Sequence, residues 1–189
     1  MNNQLDICAI VERSRLGTFQ VLVLLQCFLC MVVDGFDIQA MAYAAPSLIN
    51  EWGIPKANLG PVFSISMLGM LIGSLALGSI ADRVGRRPVL VSASLAMAVL
   101  MYLTAHATTV DGLLALRFLT GIAMGAIVPN VATLVTEYAP RHNRVMLLTL
   151  VSSGMVVGGL VGGALSAALI PQYGWQAVFY LGAFAPLCV

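Results

Sequence analysis

The sequence predicts an all-α integral membrane protein, on three observations. Hydrophobic residues make up 60% of the chain and charged residues only 9%, whereas a soluble protein carries about 25% charged residues, so this chain cannot cover a water-exposed surface. The apolar residues form continuous runs, and about 20 of them cross a bilayer as a helix. Because the runs do not alternate with polar residues, they predict helices and not barrel strands. Seven of the nine basic residues fall in alternate loops or in the N-terminal tail, which is typical of multi-pass proteins.

Five complete spans and the beginning of a sixth are predicted along the chain. The complete spans lie near residues 18–48, 59–81, 88–104, 112–134 and 145–170. The sixth, near 177–189, holds 13 residues and is still apolar where the sequence stops, so we expect it to be incomplete. A cytoplasmic tail of residues 1–17 then precedes one transmembrane bundle over residues 18–189.

The basic residues also predict the orientation of this bundle. If the spans alternate, seven of the nine basic residues lie on one side: Arg13, Arg15, Arg83, Arg86, Arg87, Arg141 and Arg144. The other side has only Lys56, so the positive-inside rule places the N-terminus in the cytoplasm. We expect the protein in the cell inner (plasma) membrane. Trp52, Tyr173 and Trp175 then fall at the outer interface, where aromatic rings are expected.

Several other classes of protein are excluded. A net charge of +1 without a basic stripe predicts no nucleic-acid partner. Cys27 and Cys30 form a CxxC, but they lie in an apolar run without a second pair, which favours ordinary packing over a metal or redox site. Since no nucleophile or metal-ligand constellation appears, we predict no enzymatic activity, no metal site and no cofactor.

Three charged residues at bilayer depth, Asp34, Asp37 and Arg117, carry the strongest functional signal. Each costs roughly 3 kcal/mol in a membrane, so it must face protein or water and commonly has a function. Asp34 and Asp37 share one helix face, being three residues apart, and Gly35 between them lets the helix loosen or a ligand come close. Two carboxylates this close should not both ionise, so at least one is expected to bind a proton near neutral pH.

This arrangement favours a proton-coupled carrier, although a structural ion pair with Arg117 is the alternative. Arg117 is a permanent cation with a forked set of donors, suited to a carboxylate. That carboxylate belongs either to a substrate or to an aspartate, and the sequence leaves both open.

The loop between the second and third spans is short and strongly charged. It contains Gly78, Asp82, Arg83, Gly85, Arg86 and Arg87. The arginines alone would serve as a topology signal. The added glycines favour a conformational gating element, in which Asp82 faces a helix N-terminus or a basic partner.

Glycines recur at intervals of four in three of the spans. The fifth span has Gly154, Gly158 and Gly162, with Gly159 and Gly163 beside them. Such a ridge of small residues allows close helix packing, and in a carrier it could also be a sliding surface. Similar pairs stand in the second span (Gly69, Gly73) and in the fourth (Gly121, Gly125).

Together these residues resemble the major facilitator superfamily. The Gly78 to Arg87 loop is similar to the superfamily's signature between helices 2 and 3, and Arg117 with Gly121 resembles its fourth-helix motif. The glycine run of the fifth span resembles the motif of drug:proton antiporters. Gly159 stands where those proteins have proline, which weakens an efflux interpretation.

Within the superfamily, the chain most resembles the aromatic acid:proton symporters, such as bacterial 4-hydroxybenzoate and benzoate carriers. The residues that carry this resemblance are Asp34-Gly35-Phe36-Asp37, Pro129-Asn130, Glu137-Tyr138 and Gly174-Trp175-Gln176. The resemblance implies that both aspartates are needed for transport and that Arg117 is a substrate or coupling residue. It also implies that Asp82, Arg86 and Glu137 form a cytoplasmic gating cluster, and that a second six-helix half completes the fold.

The sequence is therefore interpreted as the N-terminal six-helix bundle of a twelve-helix secondary transporter, truncated within the sixth helix. We expect it to import a small aromatic carboxylate such as 4-hydroxybenzoate or benzoate with protons. Asp34 and Asp37 would couple protons and, with Arg117, bind substrate. The expected partners are that carboxylate, protons, the lipid bilayer and the missing C-terminal half. The alternatives are a carrier for another organic acid or sugar, an exporter, or a non-transporting membrane accessory fragment.

Overall fold

The computed structural model describes residues 17–188 as a bundle of six α-helices. They are α1 (Thr18–Trp52), α2 (Gly60–Val84), α3 (Arg86–Ala105), α4 (Val110–Tyr138), α5 (Arg144–Tyr173) and α6 (Gln176–Phe184). Short 3-10 segments precede α2 (Lys56–Leu59) and α5 (Arg141–Asn143) and follow α6 (Ala185–Cys188). The N-terminal tail up to residue 16, with Arg13 and Arg15, and Val189 at the other end lie outside the described residues.

Among the described residues, five helices are long and apolar enough to cross a membrane. They are α1 to α5, and α6 with its 3-10 extension forms a shorter apolar helix. Each of the five continues a few residues past one or both ends of its predicted span, because the helical backbone extends into the loops. Glycines with positive φ stand at three helix ends: Gly53 (φ 62°), Gly85 (φ 104°) and Gly174 (φ 79°).

Glycines allow close contacts between helices of the bundle. Gly158 of α5 lies against the backbone of Val32 in α1, and Gly73 of α2 lies against the backbone of Ile122 in α4. Small residues allow this approach, and van der Waals packing drives helix association where lipid is as apolar as the side chains. The bundle is thus built on two tightly packed pairs, α1 with α5 and α2 with α4, to which α3 and α6 are added.

Over the part of the chain that the structure describes, the apolar core is divided into two clusters of buried side chains. One cluster runs from Leu24 to Val33 along α1 and includes Met97 of α3. The other begins at Phe36 of α1 and includes Met101 of α3. The two aspartates of α1 lie where one cluster gives way to the other, so a polar site interrupts the core at mid-helix depth.

Candidate functional site

An ion pair between α1 and α4 forms the centre of the site. Nη1 of Arg117 donates to Oδ1 of Asp37 at 3.3 Å. Arg117 is 3% exposed and Asp37 is 1% exposed, so water screens the pair little. Of the two kinds of partner that the sequence left open for Arg117, this contact is made to an aspartate.

Three neutral groups contact the Arg117 guanidinium beside this ion pair. Nη2 donates to Oγ1 of Thr104 and contacts Sδ of Met101, both at 3.3 Å. The ring centroid of Phe179 in α6 lies 5.2 Å from Cζ, within the range of a cation–π interaction. Arg117 thus joins four helices, because its partners belong to α1, α3 and α6.

Asp34 lies one helical turn from this pair and is also fully buried. Within residues 17–188, both of its carboxylate oxygens are without a hydrogen-bond partner, as are Oδ2 of Asp37 and Nε of Arg117. Two carboxylates and one guanidinium would carry a net charge of −1 if all were ionised. A buried charge without a partner is costly, so this site is suited to gain or lose a proton.

Gly35 serves helix packing in this structure. The helix continues through it, and a Cβ at this position would overlap the backbone of Met155 in α5. Gly154 and Gly162 of α5 likewise face α1, where Phe28 and Phe36 respectively lie against them. The predicted helix-packing residues of the fifth span are therefore placed on the face that α1 covers.

The charged turn between α2 and α3 forms a second polar cluster. Arg86 pairs with Asp82, from Nη2 to Oδ1, and with Glu137 at the end of α4, from Nε to Oε1, each at 3.2 Å. Gly85 joins the two helices with a φ of 104°, a backbone conformation that glycine adopts without strain. These contacts tie the turn to α4 and hold the end of α2, the start of α3 and the end of α4 together.

The other residues of the predicted gating motif do not join this ion-pair cluster. Arg83 and Arg87 are exposed, and a Cβ on Gly78 would meet open space. Arg87 lines a cavity of about 470 Å³ between α1, α3 and the end of α4. The structure thus brings together Asp82, Arg86 and Glu137, and leaves the remaining motif residues on the surface.

Trp175 corrects one sequence prediction. It was expected at the outer lipid interface, but it is 1% exposed and packs edge-on against Phe179, with ring centroids 5.6 Å apart. Its indole Nε1 donates to Oε2 of Glu51 at 2.8 Å. Tyr173, by contrast, is 69% exposed. A buried indole needs an acceptor for its N–H, and the end of α1 supplies one.

Sequence reasoning missed Met101, Thr104 and Phe179. Thr104 alone offered a signal, because a hydroxyl deep in a span has to find a partner. The other two are apolar residues in apolar helices, and nothing in their local sequence separates them from lipid-facing neighbours.

A model of the Major Facilitator Superfamily matches residues 27–189. The chain belongs to this superfamily. A solved structure agrees in fold: the inward-open xylose transporter of E. coli superposes with a TM-score of 0.77 at 18% identity, over 89% of this chain and 46% of that one. The predicted fold class, an all-α membrane bundle covering about half of a major facilitator protein, is confirmed.

Several curated relatives of the chain are named as carriers of aromatic acids. It is 43% identical to the 4-hydroxybenzoate transporter of Pseudomonas putida, over 99% of this chain and 42% of that protein. It is 41% identical to the gallate transporter of the same species, over 98% of this chain and 41% of that protein. It is 31% identical to the benzoate transport protein of Acinetobacter baylyi, over 96% of this chain and 40% of that protein. The predicted resemblance to aromatic acid carriers is confirmed, and the chain spans about two fifths of the length of these relatives. They are transporters, in keeping with the prediction that the chain is not an enzyme.

Proposed function

We propose that the chain is the N-terminal half of a symporter that imports a small aromatic carboxylate, such as 4-hydroxybenzoate or benzoate, together with protons. The observation that carries the proposal is the buried Asp37–Arg117 pair beside an unpartnered Asp34. Relatives at 31–43% identity that are named for benzoate, gallate and 4-hydroxybenzoate support the substrate class. A second six-helix half would occupy the rest of the full-length protein and close the pathway around a site near the bilayer midplane.

The charges of the site suit the chemistry of this substrate. An aromatic acid is an anion at neutral pH, so it needs a cation at bilayer depth and an inward driving force. A proton on Asp37 would weaken its attraction for Arg117 and free a donor for the substrate carboxylate. One proton per monoanion makes the cycle electroneutral, and a second proton would add the membrane potential as a driving force.

The two aspartates would have different roles in proton binding. Asp37 faces a permanent cation, which stabilises its charged form, so it is the second of the two aspartates to take up a proton. Asp34 has no hydrogen-bond donor among the described residues, so its charged form is the costlier one. We therefore assign the first proton to Asp34 and the exchange with substrate to Asp37.

The orientation follows from the basic end of the bundle. Arg83, Arg86 and Arg87 lie at the same end as Glu137, and Arg141 and Arg144 follow α4 there. The positive-inside rule then supports a cytoplasmic N-terminus in the inner membrane, and the Asp82–Arg86–Glu137 cluster becomes a cytoplasmic gate.

Arg86→Gln should reduce uptake by the full-length transporter several-fold while changing its stability little. Partly exposed ion pairs contribute about 1 kcal/mol or less, so the expected defect is in the conformational cycle. Arg87→Gln is the matched control, because Arg87 makes no ion pair within residues 17–188. Uptake rate and thermal unfolding of purified protein would be measured together. Equal uptake by the two variants would remove the gating role from Arg86.

The function itself is tested by uptake of radiolabelled 4-hydroxybenzoate into cells that express the full-length transporter. Uptake that a protonophore abolishes is the expected result, because the proton gradient drives accumulation. Membrane fractions probed for the protein serve as the expression control. A protein that reaches the membrane and carries neither 4-hydroxybenzoate nor benzoate would contradict the proposal for both of these substrates.

A further inference from the structure

We propose that Thr104 and Phe179 are positioning residues that hold Arg117 in place while Asp37 is protonated, and so set the affinity for the substrate anion. This inference rests on the proposed function. Asp34 and Asp37 of α1 supply the acidic side of the site. The inference concerns the neutral side, where Thr104 of α3 and Phe179 of α6 contact the guanidinium.

The Thr104 hydroxyl is arranged as an acceptor for the cation. Its Oγ1 donates to the carbonyl oxygen of Leu100 at 2.7 Å, so its only proton is already used. Oγ1 therefore presents a lone pair to Nη2 of Arg117, which donates to it at 3.3 Å. Thr104 is fully buried, so water does not compete for this position.

Phe179 supplies the second neutral contact, and its ring is itself held. It is fully buried, and the ring of Trp175 packs edge-on against it at an interplanar angle of 80°. Trp175 is in turn fixed by its hydrogen bond to Glu51. The ring therefore keeps its face towards Arg117, where its quadrupole attracts a cation.

These contacts differ from the ion pair in one respect: their strength does not depend on the protonation of Asp37. When Asp37 takes up a proton, Arg117 loses its counter-ion but keeps Thr104, Met101 and Phe179. Nη1 is then released, and Nε already has no partner among the described residues. The guanidinium stays in position with donors available for an incoming carboxylate, which accepts charge-assisted hydrogen bonds.

The first test compares Thr104→Val with Thr104→Ser in the full-length transporter, with uptake of 4-hydroxybenzoate measured over a range of concentrations. Valine has the same shape but no acceptor, whereas serine keeps the hydroxyl. We expect Thr104→Val to raise KM roughly 10-fold with little change in maximal rate, and Thr104→Ser to stay close to the parent. Phe179→Leu should raise KM roughly 5-fold, because leucine has no ring quadrupole to attract the guanidinium. A loss of maximal rate at unchanged KM, or equal effects of valine and serine, would overturn the assignment.

A second measurement separates failure of this inference from failure of the proposed function, because it needs no substrate. Thermal unfolding is compared for Thr104→Val in the parent and in the Asp37→Asn background, where the ion pair is gone. Positioning of Arg117 predicts a larger loss of midpoint temperature in the Asp37→Asn background, since Thr104 then holds an otherwise unpaired cation. Additive losses in the two backgrounds would reject the inference, whatever the uptake assay shows.

Discussion

Asp37→Asn should abolish proton-driven uptake and should also lower the stability of the protein. Removing one partner of a buried ion pair leaves the other charge uncompensated, at a cost of about 3–5 kcal/mol. Arg117 would be that charge, because it is 3% exposed and its one acidic partner within residues 17–188 is Asp37. Uptake of labelled 4-hydroxybenzoate and thermal unfolding of purified full-length protein would both be measured.

Asp34→Asn is the matched control, because it makes the same chemical change one turn away on the same helix. Asp34 makes no hydrogen bond among the described residues, so asparagine removes no partner and imitates the protonated form. We expect this variant to reach the membrane with parental stability and to lose gradient-driven accumulation. The double variant Asp37→Asn/Arg117→Gln should recover stability without recovering uptake. Normal proton-driven uptake by both single variants would contradict the roles assigned to the two aspartates.

Gly158→Ala should separate α1 from α5 and prevent normal assembly of the bundle. A Cβ at this position would meet backbone atoms of α1, with Val32 C at 2.8 Å and Phe36 N at 3.0 Å. Backbone cannot rotate away as a flexible side chain can, so the helices themselves must move. Overpacking of this kind typically costs about 1–3 kcal/mol. The measurement is the midpoint of thermal unfolding, together with the folded fraction recovered from membranes.

Gly159→Ala provides the comparison for this variant. The two glycines are neighbours on α5, and alanine gains the same helix propensity of about 1 kcal/mol at each. A Cβ on Gly159 would meet its nearest atom, Cγ of Gln39, at an ordinary 3.5 Å. Gly159→Ala should therefore be neutral or stabilising. Similar midpoints for the two variants would contradict the close α1–α5 crossing.

The membrane class and the order of the helices follow from the sequence because both depend on local composition. A run of apolar residues long enough to cross a bilayer predicts a span wherever it folds. The same reasoning identified Asp34, Asp37 and Arg117 as functional candidates. A charge within such a run costs free energy in the membrane, so residues of this kind commonly have a function. The glycines of α5 were also evident, because spacing of four places them on one helix face.

The partners of those residues depend on contacts between distant segments. Arg117 and Asp37 are 80 positions apart, and the sequence left a substrate and an aspartate equally open as the acceptor. The Arg86–Glu137 pair was expected only through a family resemblance, and the packing of α4 beside the α2–α3 turn brings these side chains together. Trp175 was assigned to the lipid interface from its position at the outer end of a span. The local sequence does not reveal that α1 and Phe179 cover it.

The sequence by itself determined that this is a multi-pass membrane protein with buried charges, because hydropathy and charge are properties of each segment alone. The tertiary structure decided which neutral groups complete the site. Met101, Thr104 and Phe179 lie in helices that are apolar on nearly every face, so no periodicity separates a core-facing side from a lipid-facing side. In such helices the surrounding lipid is as apolar as the core, and only the packing of α3 and α6 against Arg117 gives these residues a role.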